Sequence, residues 1–272
     1  MKKYIALLLA LVMVFALAAC SSKAEPAAEG SAEAAADSDL AYVKANGKLV
    51  VGITDFEPMD YQDADGSWIG FDADMAKAFA ETLGVEVEFV EIDWDNKIME
   101  LDNKFIDVVW NGMTLTEDVK AAMECSNAYA NNAQVVVVPV NVADKYQTVE
   151  SVAGLTFAVE NGSAGEEVIE GLGFANKTEV ATQADAVMEV SAGTSDAAVI
   201  DSLMAAAMVG EGTGYANLTY TVGLNSEEYG AGFRKGSDLA AALNDFMKAA
   251  YDDGTMMAIA ETYGVQAAII AQ

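Results

Sequence analysis

The sequence predicts an α/β protein of two lobes, each an open, mostly parallel sheet covered by helices. Short apolar, β-branched runs recur along the chain at intervals long enough to hold a helix. The stretches between them carry apolar residues on one face, as Met75, Phe79 and Leu83 do before the stop at Gly84. This alternation of strand and helix recurs in both halves, which favours parallel strands joined by crossovers. At 272 residues, 53% of them hydrophobic, the chain can build sizeable cores in one large domain or two ordinary ones.

The first folded element is a buried strand over residues 49–54, followed by a loop over 55–61 that Pro58 and its acidic neighbours keep irregular. Asp63-Ala64-Asp65-Gly66 reads as a turn, not as a calcium loop, because the further ligands and closing glutamate of such a loop are missing. A helix over 73–83, a half-buried strand over 85–92, a helix over 96–101 and a strand over 105–110 follow. A turn is expected at Asn111 and Gly112, with a helix opening at 114–116 and Thr116 as its N-cap. A strand emptying into a helix start leaves unpaired N–H groups aimed at one spot, which attracts anionic or hydrogen-bond-accepting groups.

Residues 134–138 are β-rich, and the second half repeats the theme. Strands are expected at 155–159, 179–181, 196–200 and 220–224, and helices at 166–172, 184–192 and 201–209. Residues 230–233 return the chain to the first lobe, and amphipathic helices over 238–252 and 256–263 close it. The expected division is 40–138 with 230–272 as lobe 1 and 139–229 as lobe 2, with a cleft where strand C-termini and helix N-termini converge. Its hinges fall near Val138 and Leu224.

Residues 1–19 read as a signal peptide, with Lys2 and Lys3 before an uncharged apolar run shorter than the ~20 residues of a spanning helix. The run ends Leu17-Ala18-Ala19-Cys20, which resembles a bacterial lipobox and implies lipidation of Cys20. Residues 20–39, rich in Ala, Ser, Glu and Asp, then form a disordered tether holding the protein at the outer face of the cytoplasmic membrane. Beyond Cys20 the one cysteine is Cys125, expected as a small buried apolar residue.

A formal charge of −29 repels phosphate backbones and anionic lipid, so nucleic acid is a poor partner. There is no histidine, hence no Ser/His/Asp or Cys/His grouping. No metal site and no cofactor are expected.

The segments GKLVVGIT, GSWIGFDADMAKAFAETLGVEVEFVEIDWDNKIMEL, IDVVWNGMTLTEDVKAAMECSNAY, FAVENGSAGEE, DAAVID, YGAGFRKGSDLAAALNDF and DDGTMMAIAETYG follow one another in an order and spacing that extend over nearly the whole folded region. In them the chain resembles the solute-binding proteins of amino-acid ABC transporters, the polar amino-acid group of type II periplasmic-binding-protein folds. That resemblance implies an extracytoplasmic receptor, usually monomeric, that captures a solute between its lobes and delivers it to a membrane permease. It places aromatic contacts at Phe56 and Trp94, backbone and hydroxyl contacts at Gly112, Met113 and Thr114, a second-lobe turn at Gly162 and Ser163, and an ammonium-binding acid at Asp201. Core packing for Trp94, an N-cap for Asp201 and a plain turn for Ser163 are the competing readings of these residues.

One position departs from the family. Relatives carry an arginine in the helix after the threonine turn, where it holds the ligand's carboxylate; here the residue is Val119, and the chain's single arginine, Arg234, is expected away from the cleft. Lys120 is the expected partial substitute, as a point charge in place of a fork. The alternative is a cationic amine or other carboxylate-free solute, caged by acids and aromatics drawn from Asp55, Phe56, Glu57, Asp60, Trp94, Trp110, Glu124, Tyr129 and Asp201. Asn111 offers a donor and an acceptor for a polar group. A remote alternative is a dehydratase on the same fold, with Glu160 or Glu124 as its acid or base.

Overall fold

A computed structural model describes residues 38–272. The expected signal peptide, the lipidated Cys20 and the tether up to residue 37 lie outside the described residues. At the start of the described residues the Ser38 hydroxyl caps α1 (Asp39–Asn46) by accepting from the Ala41 N–H. Asp39, expected in the tether, is instead buried and accepts from Arg234 Nε at 2.9 Å.

In the first lobe α1 leads to β1 (Lys48–Ile53), a small hairpin of β2 (Tyr61–Gln62) and β3 (Trp68–Ile69), α2 (Phe71–Leu83) and β4 (Glu86–Glu91). A single 3-10 turn over Trp94–Asn96 runs into α3 (Lys97–Asp102), then β5 (Val108–Thr114), α4 (Glu117–Ala122), β6 (Glu124–Cys125) and β7 (Ala130–Asn132). The second lobe holds β8 (Gln134–Pro139), a 3-10 segment Val140–Lys145, α5 (Val149–Val152), β9 (Phe157–Glu160) and α6 (Ala164–Gly171). It continues through β10 (Lys177–Val180), α7 (Gln183–Ala192), β11 (Ala197–Asp201), α8 (Ser202–Met208) and β12 (Leu218–Gly223). The chain then returns through β13 (Glu227–Phe233) to α9 (Leu239–Asp252) and α10 (Thr255–Thr262).

The sheets share a plan. The first runs β4-β1-β5-β13-β6, with β7 also on β13; β4, β1 and β5 are parallel and β13 is antiparallel to β5. The second runs β10-β9-β11-β8-β12, with β10, β9 and β11 parallel and β8 antiparallel. Because β8 belongs wholly to the second sheet and β13 begins at Glu227 in the first, the crossings fall at Ala133 and residues 224–226. The expected hinge at Val138 and boundary at residue 230 are thereby corrected: the apolar run 134–138 is the first strand of the second lobe, not the last of the first.

Both sheets bury apolar faces. Val51, Ile53, Val108 and Trp110 pack with Phe71, Met75 and Phe79 of α2 and Leu243 and Met247 of α9, while Val136, Val138, Phe157 and Val199 pack with Ile169 of α6. Each such side chain contributes about 1.5–3 kcal/mol when fully buried. Arg234 ties the far end of the first lobe together. Its guanidinium donates to Asp39, to Asp107 Oδ1 at 3.1 Å and to the Ile106 carbonyl at 2.7 Å, away from the cleft as expected.

Candidate functional site

A cavity of about 40 Å³ lies where the lobes face each other. The first lobe lines it with Phe56 after β1, Trp94, Lys97, the end of β5 (Asn111, Met113, Thr114) and the start of α4 (Thr116, Val119). The second contributes Glu160 from the end of β9, Gly162, Ser163, Ala164, Glu167, Gln183 and Asp201. Phe56, Trp94, Asn111, Met113, Thr114, Gly162, Ser163 and Asp201 therefore come together as the sequence reading expects, whereas Gly112 and Lys120 do not line it.

Gly112 sits just behind the wall. Residues 111 and 112 continue β5 where a turn was expected, and Gly112 takes a positive φ of 57° within the strand. A Cβ here would lie 2.5 Å from Phe56 Cε1, so the ring closes directly over the backbone. The Gly112 N–H donates to Asp72 Oδ2 at 2.6 Å and is not free for a ligand. Phe56 in turn meets Tyr229 edge to face, ring centroids 6.3 Å apart. Asn111 spends its side chain on Thr54, accepting from its N–H at 3.0 Å and donating to its hydroxyl at 2.8 Å.

Of the acids and aromatics considered for a cation cage, Phe56, Trp94 and Asp201 reach the cavity. Asp55 and Glu57 line a neighbouring groove with Tyr61 and Trp68. Asp60, Trp110 and Tyr129 are buried inside the first lobe, and Glu124 lies in β6. Burial, with the charge of Asp72 added, holds the Asp60 carboxyl well above its ordinary range; burial also raises Asp72, against hydrogen bonds from Tyr129 and Gly112.

Thr116 caps α4, its hydroxyl accepting from the Val119 N–H at 3.2 Å, and Ser163 caps α6 through the Glu166 N–H at 3.2 Å. Val119 packs with Trp94, Leu101, Val109 and Met113, so that part of the wall is apolar. Lys120 points into a separate groove, with Nζ 3.5 Å from Glu117 Oε1. Its position one residue round the helix from Val119, about 100°, removes it from the cavity. Cys125, expected as a small buried apolar residue, is half-buried at the edge of the same apolar cluster.

Asp201 occupies the N-cap position of α8, yet its side chain makes no capping bond. It is the hub of a network at the crossings. Its Oδ1 accepts from Asn132 Nδ2, from Gln134 Nε2 at 2.9 Å and from Tyr229 OH at 2.7 Å, and its Oδ2 accepts from Gln183 Nε2. Asn132 and Gln134 flank one crossing, and both also donate to Glu227 Oε1, at 2.6 and 2.8 Å, beside the other. Burial and the charge of Glu227 push the Asp201 carboxyl up to about 8.

The sequence reading assigned no ligand contact to Lys97, Glu160, Glu167 or Gln183. Lys97 opens α3 beside Trp94, with Nζ donating to the Trp94 carbonyl at 3.1 Å and, across the cleft, to the Gly162 carbonyl at 2.9 Å. It lies 4.9 Å from the Trp94 ring centroid. Burial lowers its affinity for a proton, and the nearby charges of Glu160 and Asp95 oppose that. Glu160 is 3% exposed and its Oε1 has no hydrogen-bond partner among the described residues. Burial, with the charge of Asp201 added, pushes its carboxyl up to about 8. An apolar helix face normally excludes lysine, so a lysine immediately after an aromatic 3-10 turn was the available signal. A glutamate ending an otherwise apolar strand was the other.

The arrangement can hold a small polar molecule between an aromatic, partly apolar wall and a wall of carboxyls and helix starts. The family model for bacterial extracellular solute-binding proteins, family 3, matches residues 49–266. The ABC transporter glutamine-binding protein GlnH of Bacillus subtilis is 32% identical over 263 residues, covering 93% of this chain and 94% of that protein. The arginine-binding extracellular protein ArtP of the same organism is 29% identical over 264 residues, with 94% and 95% covered. The crystal structure of a mutant ArgBP from T. maritima superposes with a TM-score of 0.78 at 32% identity, covering 83% of this chain and 99% of that one. Cyclohexadienyl dehydratase of Pseudomonas aeruginosa, 26% identical over 136 residues, matches about half, 49% of this chain and 51% of the enzyme. With two lobes crossed twice, a cavity between them and a family match that spans both, this chain belongs to the bacterial extracellular solute-binding proteins, family 3.

Proposed function

We propose that the protein is the extracytoplasmic receptor of an ABC importer, closing its lobes around an amino acid and delivering it to a membrane permease. One observation carries this reading: a cavity between the lobes is lined by a buried ammonium from one side and buried carboxyls from the other. That pattern suits a zwitterion, and relatives named for arginine and glutamine extend over nearly the whole chain. At about 40 Å³ the cavity is far smaller than the roughly 300–1,000 Å³ of a typical ligand pocket. Entry of a ligand therefore requires the lobes to part, with Ala133 and residues 224–226 absorbing the motion. The ligand contacts proposed are Phe56, Trp94, Thr114, Gly162 and Ser163, with Asp201 holding the hinge side of the site.

Binding without turnover fits better than catalysis. The chain has no histidine, and the dehydratase relative matches only about half of it. Lipidation at Cys20, anchoring at the outer membrane face and a monomeric state complete the proposal. The test is thermal unfolding of the chain against each amino acid and its decarboxylated amine. A ligand at 100 times its dissociation constant adds about 2.7 kcal/mol, or roughly 5–11 °C at this size. A shift with an amino acid is expected; a shift with an amine alone would move the ligand to the carboxylate-free class.

A further inference from the structure

Where the family resemblance expects an arginine, Val119 is 6% exposed and packed against Trp94 and Met113, and Lys120 lies in another groove. Lys97 is the basic residue that lines the cavity. Both of its hydrogen bonds go to backbone carbonyls, which fix the ammonium in place and leave one of its three donors for the cavity. Opposite it, Glu160 offers an oxygen that no group among the described residues satisfies, and a buried polar atom left this way is costly unless a partner arrives. Asp201, by contrast, already accepts from Asn132, Gln134, Gln183 and Tyr229.

We infer that Lys97 and Glu160, facing each other from opposite lobes, read the two charged ends of the ligand. Lys97 takes the carboxylate in place of the arginine absent from position 119, and Glu160 takes the ammonium in place of Asp201. A zwitterion inserted between them supplies a partner to both groups at once; a bare amine or a bare acid leaves one of the two buried groups without its partner. The Lys97 bond to the Gly162 carbonyl spans the lobes, so the reading position of the ammonium exists only in the closed form. Closure and charge recognition are thus coupled through one side chain. This inference rests on the receptor reading above and specifies its charge recognition.

The experiment is calorimetric titration of the full chain with each proteinogenic amino acid, then of Lys97→Met, Lys97→Arg, Glu160→Gln and Lys120→Met with the best binder. Folding of each variant is checked by circular dichroism, and Lys97→Gln replaces Lys97→Met if the latter does not fold. Loss of one partner from a desolvated charge pair predicts about 30-fold to several thousand-fold weaker binding for Lys97→Met and Glu160→Gln. Lys97→Arg should restore most of the affinity, and Lys120→Met should change it less than about 2-fold, the level of an exposed charge. A wild type that binds an amino acid while Lys97→Met binds it equally well overturns this inference alone. So does a loss confined to Lys120→Met. A wild type that binds no amino acid overturns the amino-acid reading and the inference together, and a decarboxylated amine bound instead moves the ligand to the carboxylate-free class.

Discussion

Glu160 closes β9 and Asp201 closes the adjacent parallel strand β11, so two carboxyls stand side by side at one edge of the second sheet. Both are buried, and burial pushes both up to about 8. Their surroundings differ completely. Asp201 is enclosed by donors from the crossing strands and Gln183, while Glu160 Oε1 meets none. The same residue chemistry at neighbouring strand ends thus makes a structural hub in one case and an open acceptor in the other. What decides is whether the crossing strands reach the carboxyl.

Substitution separates the two. Glu160→Gln is expected to weaken ligand binding by about 2–5 kcal/mol in calorimetry, since it removes one partner of a desolvated contact. It should leave the ligand-free protein as stable or more stable at neutral pH, because a buried ionisable group disappears. Asp201→Asn should do the reverse to stability. Above about pH 8, where the carboxyl is ionised, an amide turns one acceptor into a donor facing donors and leaves buried groups unsatisfied at a cost of about 1–3 kcal/mol each, read as a lower denaturant midpoint. If both variants were equally stable, the distinction between hub and open acceptor would fail.

Gly112→Ala probes the other wall. A methyl group 2.5 Å from Phe56 Cε1, at a φ of 57°, must displace the ring or the strand. About 1–3 kcal/mol of stability should be lost, with Phe56 moved out of the cavity.

The acids also set a pH dependence. Asp60, Asp72, Glu160 and Asp201 all hold their protons more tightly folded than unfolded. Unfolded, such groups ionise near pH 4, so between about pH 4 and 8 the folded state keeps protons that the unfolded state has released. Stability is therefore fullest in mild acid and falls as pH rises through that window. The thermal midpoint of the ligand-free protein should drop between pH 5 and 8, and Glu160→Gln should flatten the curve. A midpoint that climbed with pH would contradict the burial of these carboxyls. The smallest effect expected is Lys120→Met, below about 1 kcal/mol on either binding or stability, because its pairing with Glu117 is exposed.

Local pattern was enough for much of this. Apolar runs, helix stops and caps are short-range signals, and residues 49–54, 73–83 and 196–200 fall on β1, α2 and β11 within two residues or so. Thr116 was legible as a helix cap for the same reason and caps as expected, whereas Ser163, expected as a turn residue, caps α6. Periodicity could not say which sheet an apolar run would join. Residues 134–138 read equally well as the end of one lobe or the start of the next, and only their pairing with β11 and β12 decides it. The short edge strands β6 and β7 carry too few residues to show a period at all.

By itself the sequence determined the two-lobe α/β plan, the cleft between strand ends and helix starts, and a valine at position 119, where the family resemblance expects an arginine. Tertiary structure alone decided which charged side chains occupy that cleft. Lys97 and Lys120 are both lysines in the first turn or two of short helices, and Glu160 and Asp201 are both acids ending strands. Local cues such as an aromatic turn before Lys97 do not by themselves decide which member of either pair is left open to a ligand. The difference arises from groups distant in sequence: the Gly162 carbonyl that receives Lys97, and the Asn132, Gln134 and Tyr229 donors that reach Asp201 but not Glu160.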